Sequence, residues 1–126
     1  MRISNAESLI MDCLWQRSPL AADEIATEIV ERNGWSEATV RTLIHRLMNK
    51  KAITATKDGR RYLYRPLVAR DDYLDSESQS LLDRLFDGRL APLVAHLSER
   101  ERITLADVAE IKALIKKLDE DRKDGE

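Results

Sequence analysis

The spacing of apolar residues changes once along the chain, near residue 52, and this change is the strongest constraint on the fold. Before it, apolar residues recur at the helical spacing i, i+3, i+4 and i+7, as in Val40, Leu43, Ile44 and Leu47. After it, residues 53–57 and 60–65 form two β-prone runs separated by Asp58-Gly59. This pair favours a two-residue hairpin loop with a type I′ turn, because that turn requires positive φ at both positions. A β-hairpin is therefore predicted directly after a helical segment.

Start and stop signals divide the segment before the hairpin into three helices, predicted over residues 5–17, 22–32 and 37–50. The first begins at a capping box formed by Ser4 and Glu7. The second ends at Gly34, which tolerates a left-handed conformation, and the third begins at Ser36 as its N-cap. Three helices followed by a hairpin is the order of a winged helix-turn-helix, whose third helix enters the major groove of DNA.

The whole-chain charge argues against a nucleic-acid partner, since the formal charge is −2 and the pI is about 5.8. The charge is unevenly distributed, however. Residues 1–67 carry a net +3 and residues 68–126 a net −5. Within residues 36–65, eight basic residues stand against two acidic ones, a net of +6. The segment that contains the third helix and the hairpin is therefore basic within an acidic protein.

The third helix turns a polar face away from its apolar stripe. At 100° per residue, Ala38, Thr42, His45 and Asn49 lie opposite the stripe, and Arg41 and Arg46 flank them. At the hairpin tip stand Lys57, Arg60 and Arg61. Such residues suit hydrogen bonds to base edges and ion pairs with phosphates. Double-stranded DNA is therefore the predicted partner, with His45 left open between a base contact and a solvated position.

After residue 68 the chain is predicted to be helical again, over residues 70–86, 91–97 and from 105 onward. The last helix carries an apolar stripe that consists of Val108, Ile111, Leu114, Ile115 and Leu118. The residues from 119 to 126 lack the stripe and are expected to fray. Because this region has few large core residues, a second copy of the chain is predicted to cover the stripe, giving a homodimer.

These patterns predict a mostly α fold with a small β-hairpin. Residues 1–68 form an N-terminal winged-helix DNA-binding domain, and residues 69–126 form a C-terminal helical dimerisation region. A dimer of this kind presents two third helices to a pseudo-palindromic operator. Arg41 and Thr42 are expected to read bases.

The sequence resembles the penicillinase-repressor (BlaI/MecI/CopY) family. The resemblance is carried by residues 35–47, WSEATVRTLIHRL, and by Tyr62-Leu63-Tyr64, and it covers most of residues 3–118. It implies a dimeric transcriptional repressor with a winged helix and a C-terminal dimerisation region. It places DNA contacts on Thr39, Arg41, Thr42 and Arg46 of the third helix, and on Arg60 and Arg61 of the wing. The helical spacing also selects Arg41, Thr42 and Arg46, but it puts Thr39 at the edge, within reach of a phosphate.

Two departures from the family pattern bear on regulation. Copper-responsive members carry a cysteine-rich C-terminal motif, and this chain has no cysteine after Cys13. Members that respond to β-lactams are cleaved at an Asn-Phe bond in the C-terminal region, and the nearest match here reads Val94-Ala95-His96-Leu97. A membrane sensor protease therefore stays open as a partner, although this chain does not reproduce the Asn-Phe pair at which such a protease would cleave.

Other function classes find little support. Cys13, Trp15 and Trp35 are interpreted as packing residues, and neither the cysteine nor the two histidines have metal-ligand spacing. No phosphate-binding loop or catalytic set is present, so neither an enzyme nor a cofactor is expected. No apolar run is long enough to enter a membrane, and a cytoplasmic protein is expected. Two alternatives stay open: a winged helix that binds an acidic protein, and a DNA-binding sensor with a small-molecule pocket.

Overall fold

Six helices and three strands account for most of residues 2–125, the part of the chain that the structure, a computed structural model, describes. In chain order they are α1 (Asn5–Gln16), β1 (Leu20–Ala21), α2 (Ala22–Asn33), α3 (Glu37–Asn49), β2 (Ile53–Asp58), β3 (Arg61–Pro66), α4 (Arg70–Leu85), α5 (Leu90–Glu99) and α6 (Leu105–Gly125). Side chains are described through residue 123. The chain forms two compact units, an N-terminal unit that ends at Ser76 and a C-terminal unit that begins at Glu77. The predicted mostly helical fold class is confirmed.

The caps predicted for the first three helices are present. Glu7 N donates to Ser4 Oγ at 3.1 Å, and Ser4 N donates to Glu7 Oε1 at 3.0 Å, which completes the capping box of α1. Gly34 ends α2 with φ +69°, and Ser36 Oγ accepts from Thr39 N at 3.2 Å at the start of α3. The predicted bounds of these helices agree with the structure to within one residue, because each end carries its own local signal.

The β-sheet differs from the prediction in two respects. It has three antiparallel strands in the order β1-β3-β2, and the two-residue strand β1 was not predicted because it is too short to show alternation. In the hairpin Asp58 pairs with Arg61, so the loop is Gly59-Arg60 rather than Asp58-Gly59. Gly59 has φ +64° and Asp58 does not have positive φ, so the predicted type I′ turn is wrong. A glycine first in a two-residue loop is typical of type II′.

The core of the N-terminal unit lies between α1, α2, α3 and the start of β2. Its most deeply buried side chains are Ile10, Met11, Leu14, Leu20, Ile25, Ile29, Val40, Leu47 and Ile53. Trp15 and Trp35 pack against this core while partly buried, and Trp15 Nε1 donates to the Val68 carbonyl at 2.8 Å. The prediction that both tryptophans and Cys13 are packing residues is confirmed. Burial of the α3 stripe fixes which side of α3 faces solvent.

A buried ion pair joins α1 to the end of α3. Lys50, the C-cap of α3, donates from Nζ to Glu7 Oε1 at 2.6 Å and to the Arg2 carbonyl at 2.8 Å. Glu7 is 2% exposed. Burial alone would raise the pKa of this carboxyl, but hydrogen bonds from Lys50 and Ser4 outweigh it and hold the pKa below its ordinary value. One lysine of the basic segment is therefore committed to the fold.

The C-terminal unit contains the end of α4 together with α5 and α6. Residues 87 and 88 both have positive φ and terminate α4, as the glycine at 88 predicts. Reciprocal hydrogen bonds of 3.0 Å between Thr104 and Asp107 begin α6. The expectation that the chain frays from residue 119 is wrong, since α6 continues to residue 125; residue 126 lies outside the described residues. Arg122 and Lys123 in its last turn complement the helix dipole.

Candidate nucleic-acid interface

The exposed face of α3 is the first component of the candidate interface. Because Val40, Leu43, Ile44 and Leu47 are buried, the residues opposite them are at the surface. We call this face the exposed strip; its centre is formed by Ala38, Thr42, His45 and Asn49, and Arg41 lies along one edge with Thr39 and Arg46 along the other. All seven residues are exposed. The strip therefore combines hydrogen-bonding groups in the middle with cations at both edges.

Local hydrogen bonds orient the threonines of the strip. Thr42 Oγ1 donates to the Ala38 carbonyl at 2.9 Å, so its oxygen lone pairs and its methyl group remain available to a partner. Thr39 Oγ1 lies 3.0 Å from Ser36 Oγ, within the cap of α3. Thr39 is thus held at the N-terminus of α3, where the helix dipole attracts anions. This position suits a phosphate contact more than a base contact.

A groove of about 530 Å³ separates α3 from the sheet, and we call it the helix–wing groove. Its polar lining comes from Arg41, His45, Asn49, Tyr62 and Tyr64, and its apolar lining comes from Ala22, Ile44, Met48 and Ala55. The helical wheel predicted the surface positions of Arg41 and His45. The wheel also placed Asn49 on the exposed face, although neither Asn49 nor the two tyrosines were assigned a DNA contact.

A second recess of about 260 Å³ extends the candidate interface toward the wing tip. It shares Ala22, Arg41, Tyr62 and Tyr64 with the helix–wing groove. Its other lining residues are Arg60 and Arg61 from the wing, Ala21 of β1 and Asp23 in the first turn of α2. Three arginines that are up to 20 positions apart in the sequence thus line one recess, beside a helix N-terminus that also favours anions.

The strand register shows which wing residues share a face. Lys57 pairs with Tyr62 and Ala55 pairs with Tyr64, so these four side chains lie on the groove side of the sheet. Arg65 and Thr56 occupy the opposite face, where Arg65 Nη1 donates to Thr56 Oγ1 at 3.1 Å. Lys57 therefore belongs to the candidate interface, whereas Arg65 does not.

Charge pairing leaves fewer cations available at the interface than the eight basic residues of segment 36–65. Lys50 is bound to Glu7, on another side of α3. Arg61 Nη1 lies 3.9 Å from Glu24 Oε1, a surface contact that is weak and screened by salt. Arg41, Arg60 and Arg61 line the recesses and Lys57 lies on the same face of the sheet, so these four residues form the cationic part of the interface.

The residues predicted for dimerisation lie on α6. Leu114, Ile115 and Leu118 are each more than half exposed, Val108 is 38% exposed, and Ile111 is partly buried. An exposed apolar face of this kind commonly marks an interaction surface. Residues 94–97, the nearest match to the family's cleavage site, lie within the helix α5.

Three features of the described residues bear on metal binding, on membrane crossing and on thiol chemistry. Within the described residues no cluster of three His, Cys, Asp or Glu side chains could hold a metal ion. Across that same part of the chain, no helix is both long and apolar enough to cross a membrane. Burial, with a contribution from Glu28, raises the pKa of the Cys13 thiol to about 11. A thiol with that pKa stays protonated and is a poor nucleophile at neutral pH.

Comparison with known proteins gives a consistent result. The sequence profile described as penicillinase repressor matches residues 3–117. A penicillinase repressor of Bacillus licheniformis is 30% identical over 110 residues, which cover 87% of this chain and 86% of that protein. The methicillin resistance regulatory protein MecI of Staphylococcus aureus (strain N315) is 30% identical over 115 residues, 91% of this chain and 94% of that protein. The solution structure of monomeric B. licheniformis BlaI in complex with the blaP half-operator matches with a TM-score of 0.52 at 33% identity, covering 58% of this chain and 89% of that chain.

Proposed function

The chain belongs to the penicillinase repressor family, and on that premise we propose that it is a transcriptional repressor that binds operator DNA. One observation carries the proposal most directly. Arg41 and His45 of α3 line the same groove as Tyr62 of the wing, and Arg60 lies in the adjoining recess. A helix and a wing that present cations to one surface match the two contacts that a winged helix makes with a duplex.

In this proposal α3 lies in the major groove. Thr42, at the centre of the exposed strip, and Arg41, at its edge, contact base edges and supply specificity. Arg46 and Thr39 at the opposite edge contact the phosphates of the bordering strand. Lys57, Arg60 and Arg61 contact the backbone from the wing. His45, also at the centre of the exposed strip, faces the floor of the major groove.

We further propose that the protein acts as a homodimer on a pseudo-palindromic operator. Residues 1–68 bind DNA and residues 69–126 form the dimer, with the exposed apolar side chains of α6 in the interface. Their exposure supports this assignment, because water-exposed leucines and isoleucines gain free energy when a second copy covers them. Two-fold symmetry then presents two α3 helices to two half-sites, and occupancy of the site blocks the promoter. Binding to operator DNA would place the protein in the cytoplasm.

The experiment that tests this function is selection of duplexes from a random pool by the full chain, followed by sequencing. We expect an inverted repeat whose half-sites are separated by a whole number of helical turns. Enriched sequences with no common motif would contradict operator binding. Failure to bind any duplex at low salt would favour a winged helix that binds an acidic protein.

Sedimentation equilibrium of the full chain tests the dimer separately. We expect a dimer at micromolar concentration, and a monomer well above that concentration would remove the dimer from the proposal. Replacing Leu114 by lysine serves as the partner-disrupting variant, because it puts a charge in the middle of the apolar face.

A further inference from the structure

Tyr62 is the exposed aromatic residue of the wing. It is 51% exposed, it lines both recesses of the candidate interface, and it pairs with Lys57 in the sheet. Across the helix–wing groove from it stand Arg41 and His45. A half-exposed tyrosine among cations offers an O–H donor in a region where the positive charge already attracts anions.

The geometry of DNA identifies what enters the helix–wing groove. The major groove is about 12 Å wide and is bordered on each side by a phosphodiester strand. If α3 occupies the major groove, a wing beside α3 reaches the duplex only by lying across one of these strands. The groove between α3 and the wing is therefore the passage for that strand, and the wing side chains that line it face phosphates and sugars rather than base edges.

We propose that the Tyr62 hydroxyl donates a hydrogen bond to a phosphate of the strand that passes through the helix–wing groove. This inference rests on the proposed function and adds a contact to it. Lys57 supplies a point charge on a flexible stem and Arg60 lies in the hairpin loop, whereas the phenol is a directional donor on the central strand of the sheet. Tyr62 is thus a directional contact to the DNA backbone, which does not depend on the base sequence.

The salt dependence of binding distinguishes this contact from the ionic ones. Each cation that neutralises a phosphate releases counterions and steepens the dependence of affinity on salt. A neutral phenol releases none. Loss of the Tyr62 hydroxyl should therefore lower affinity by the same factor at every salt concentration, while loss of Arg60 should flatten the dependence by about one unit of slope.

The test compares Tyr62→Phe with the wild-type full chain on two duplexes, the best sequence selected by the wild type and a mixed sequence of equal length. Affinity is measured at four salt concentrations. We expect roughly tenfold weaker binding to both duplexes, the effect of losing one hydrogen bond to a charged group, with an unchanged salt slope. Tyr73→Phe is the matched control, because Tyr73 stacks on Trp15 at a ring distance of 5.3 Å and does not line the groove. Thermal unfolding verifies that both variants are folded.

The outcomes separate the inference from the function on which it rests. If the wild type binds neither duplex, the proposed function and the inference are both wrong. If the wild type binds and Tyr62→Phe binds equally well, the hydroxyl makes no contact and the inference alone is wrong. Tyr62→Ala extends this result. If DNA affinity falls for Tyr62→Ala but not for Tyr62→Phe, the aromatic ring and not the hydroxyl contributes to binding. A loss confined to the selected duplex would indicate a base contact and would also overturn the inference.

Discussion

Replacing Lys50 by methionine is expected to destabilise the N-terminal unit without removing a DNA contact. The charge of Lys50 is bound to Glu7, whose side chain is 2% exposed and whose Oε1 accepts from Nζ at 2.6 Å. Glu7 Oε2 is also buried and has no hydrogen-bond partner among the described residues. Methionine keeps the apolar stem and removes the ammonium group, which leaves a carboxylate in the core without its cation.

The size of the effect follows from the burial of each partner. Breaking a buried ion pair by removing one partner costs about 3–5 kcal/mol, because the remaining charge is uncompensated. The Lys50 side chain is 36% exposed, so water partly compensates the pair. We therefore expect a loss of about 3 kcal/mol, the lower end of that range. For a chain of this size such a loss is a large fraction of the total free energy of unfolding.

Urea unfolding followed by circular dichroism measures this loss, provided that the m-value is unchanged. Lys51→Met is the matched control, because it removes the adjacent, exposed lysine and should change stability by no more than about 0.5 kcal/mol. The double variant Glu7→Leu with Lys50→Met should lose less stability than Lys50→Met alone, since no charge is left buried.

Two results would refute the reasoning. One is a loss for Lys50→Met that is no larger than the loss for Lys51→Met. The other is unchanged stability together with a flatter salt dependence of DNA binding, which would show that Lys50 binds phosphate rather than Glu7.

Four further expectations concern the buried Glu7, two arginines of the candidate interface and the apolar face of α6. The pKa of Glu7 is lowered from 4.5 in the folded state, so the stabilisation by its carboxylate is complete above about pH 4.5 and is lost as the pH falls through the folded-state pKa. The difference in unfolding free energy between the wild type and Glu7→Gln should therefore narrow on acidification. A difference that stays constant with pH would contradict this expectation. Arg41→Ala should weaken binding to the selected operator by about 1–3 kcal/mol and random DNA by less, whereas equal losses in a filter-binding assay would remove its base-reading role. Arg60→Ala should weaken binding to all sequences alike and reduce the salt slope by about one, and a sequence-dependent loss would speak against a phosphate contact. Ile115→Lys should shift the sedimentation equilibrium toward monomer by placing a charge in the proposed dimer face, and an unchanged dimer would exclude that face.

Local signals predicted the order and bounds of the helices well. Each helix in the N-terminal unit begins or ends at residues, such as Ser4 or Gly34, that satisfy backbone groups with their own atoms or adopt φ values that other residues avoid. The hairpin loop was displaced by one residue, because Asp58 pairs as a strand residue and Gly59 supplies the single positive φ in the loop. Strand β1 has two residues and its existence depends on β3, more than 40 positions away.

The site was predictable only where one element determines it. The helical wheel of α3 places Arg41, Thr42 and His45 at the surface because the stripe on the same helix is buried. The partners of these residues across the helix–wing groove depend on the hairpin register. With the predicted loop Tyr62 would stand opposite Ala55, whereas the observed loop places it opposite Lys57, nearer the wing tip. The pairing of Lys50 with a carboxylate 43 positions away leaves no local pattern.

A titration of the isotopically labelled full chain with the selected duplex, followed by amide nuclear magnetic resonance, tests the central claim most directly. We expect the largest amide shifts on the exposed strip of α3 and on the loop Gly59-Arg60, with smaller shifts at the start of α2. Shifts that fall chiefly on α6, or no shifts at low salt, would contradict it.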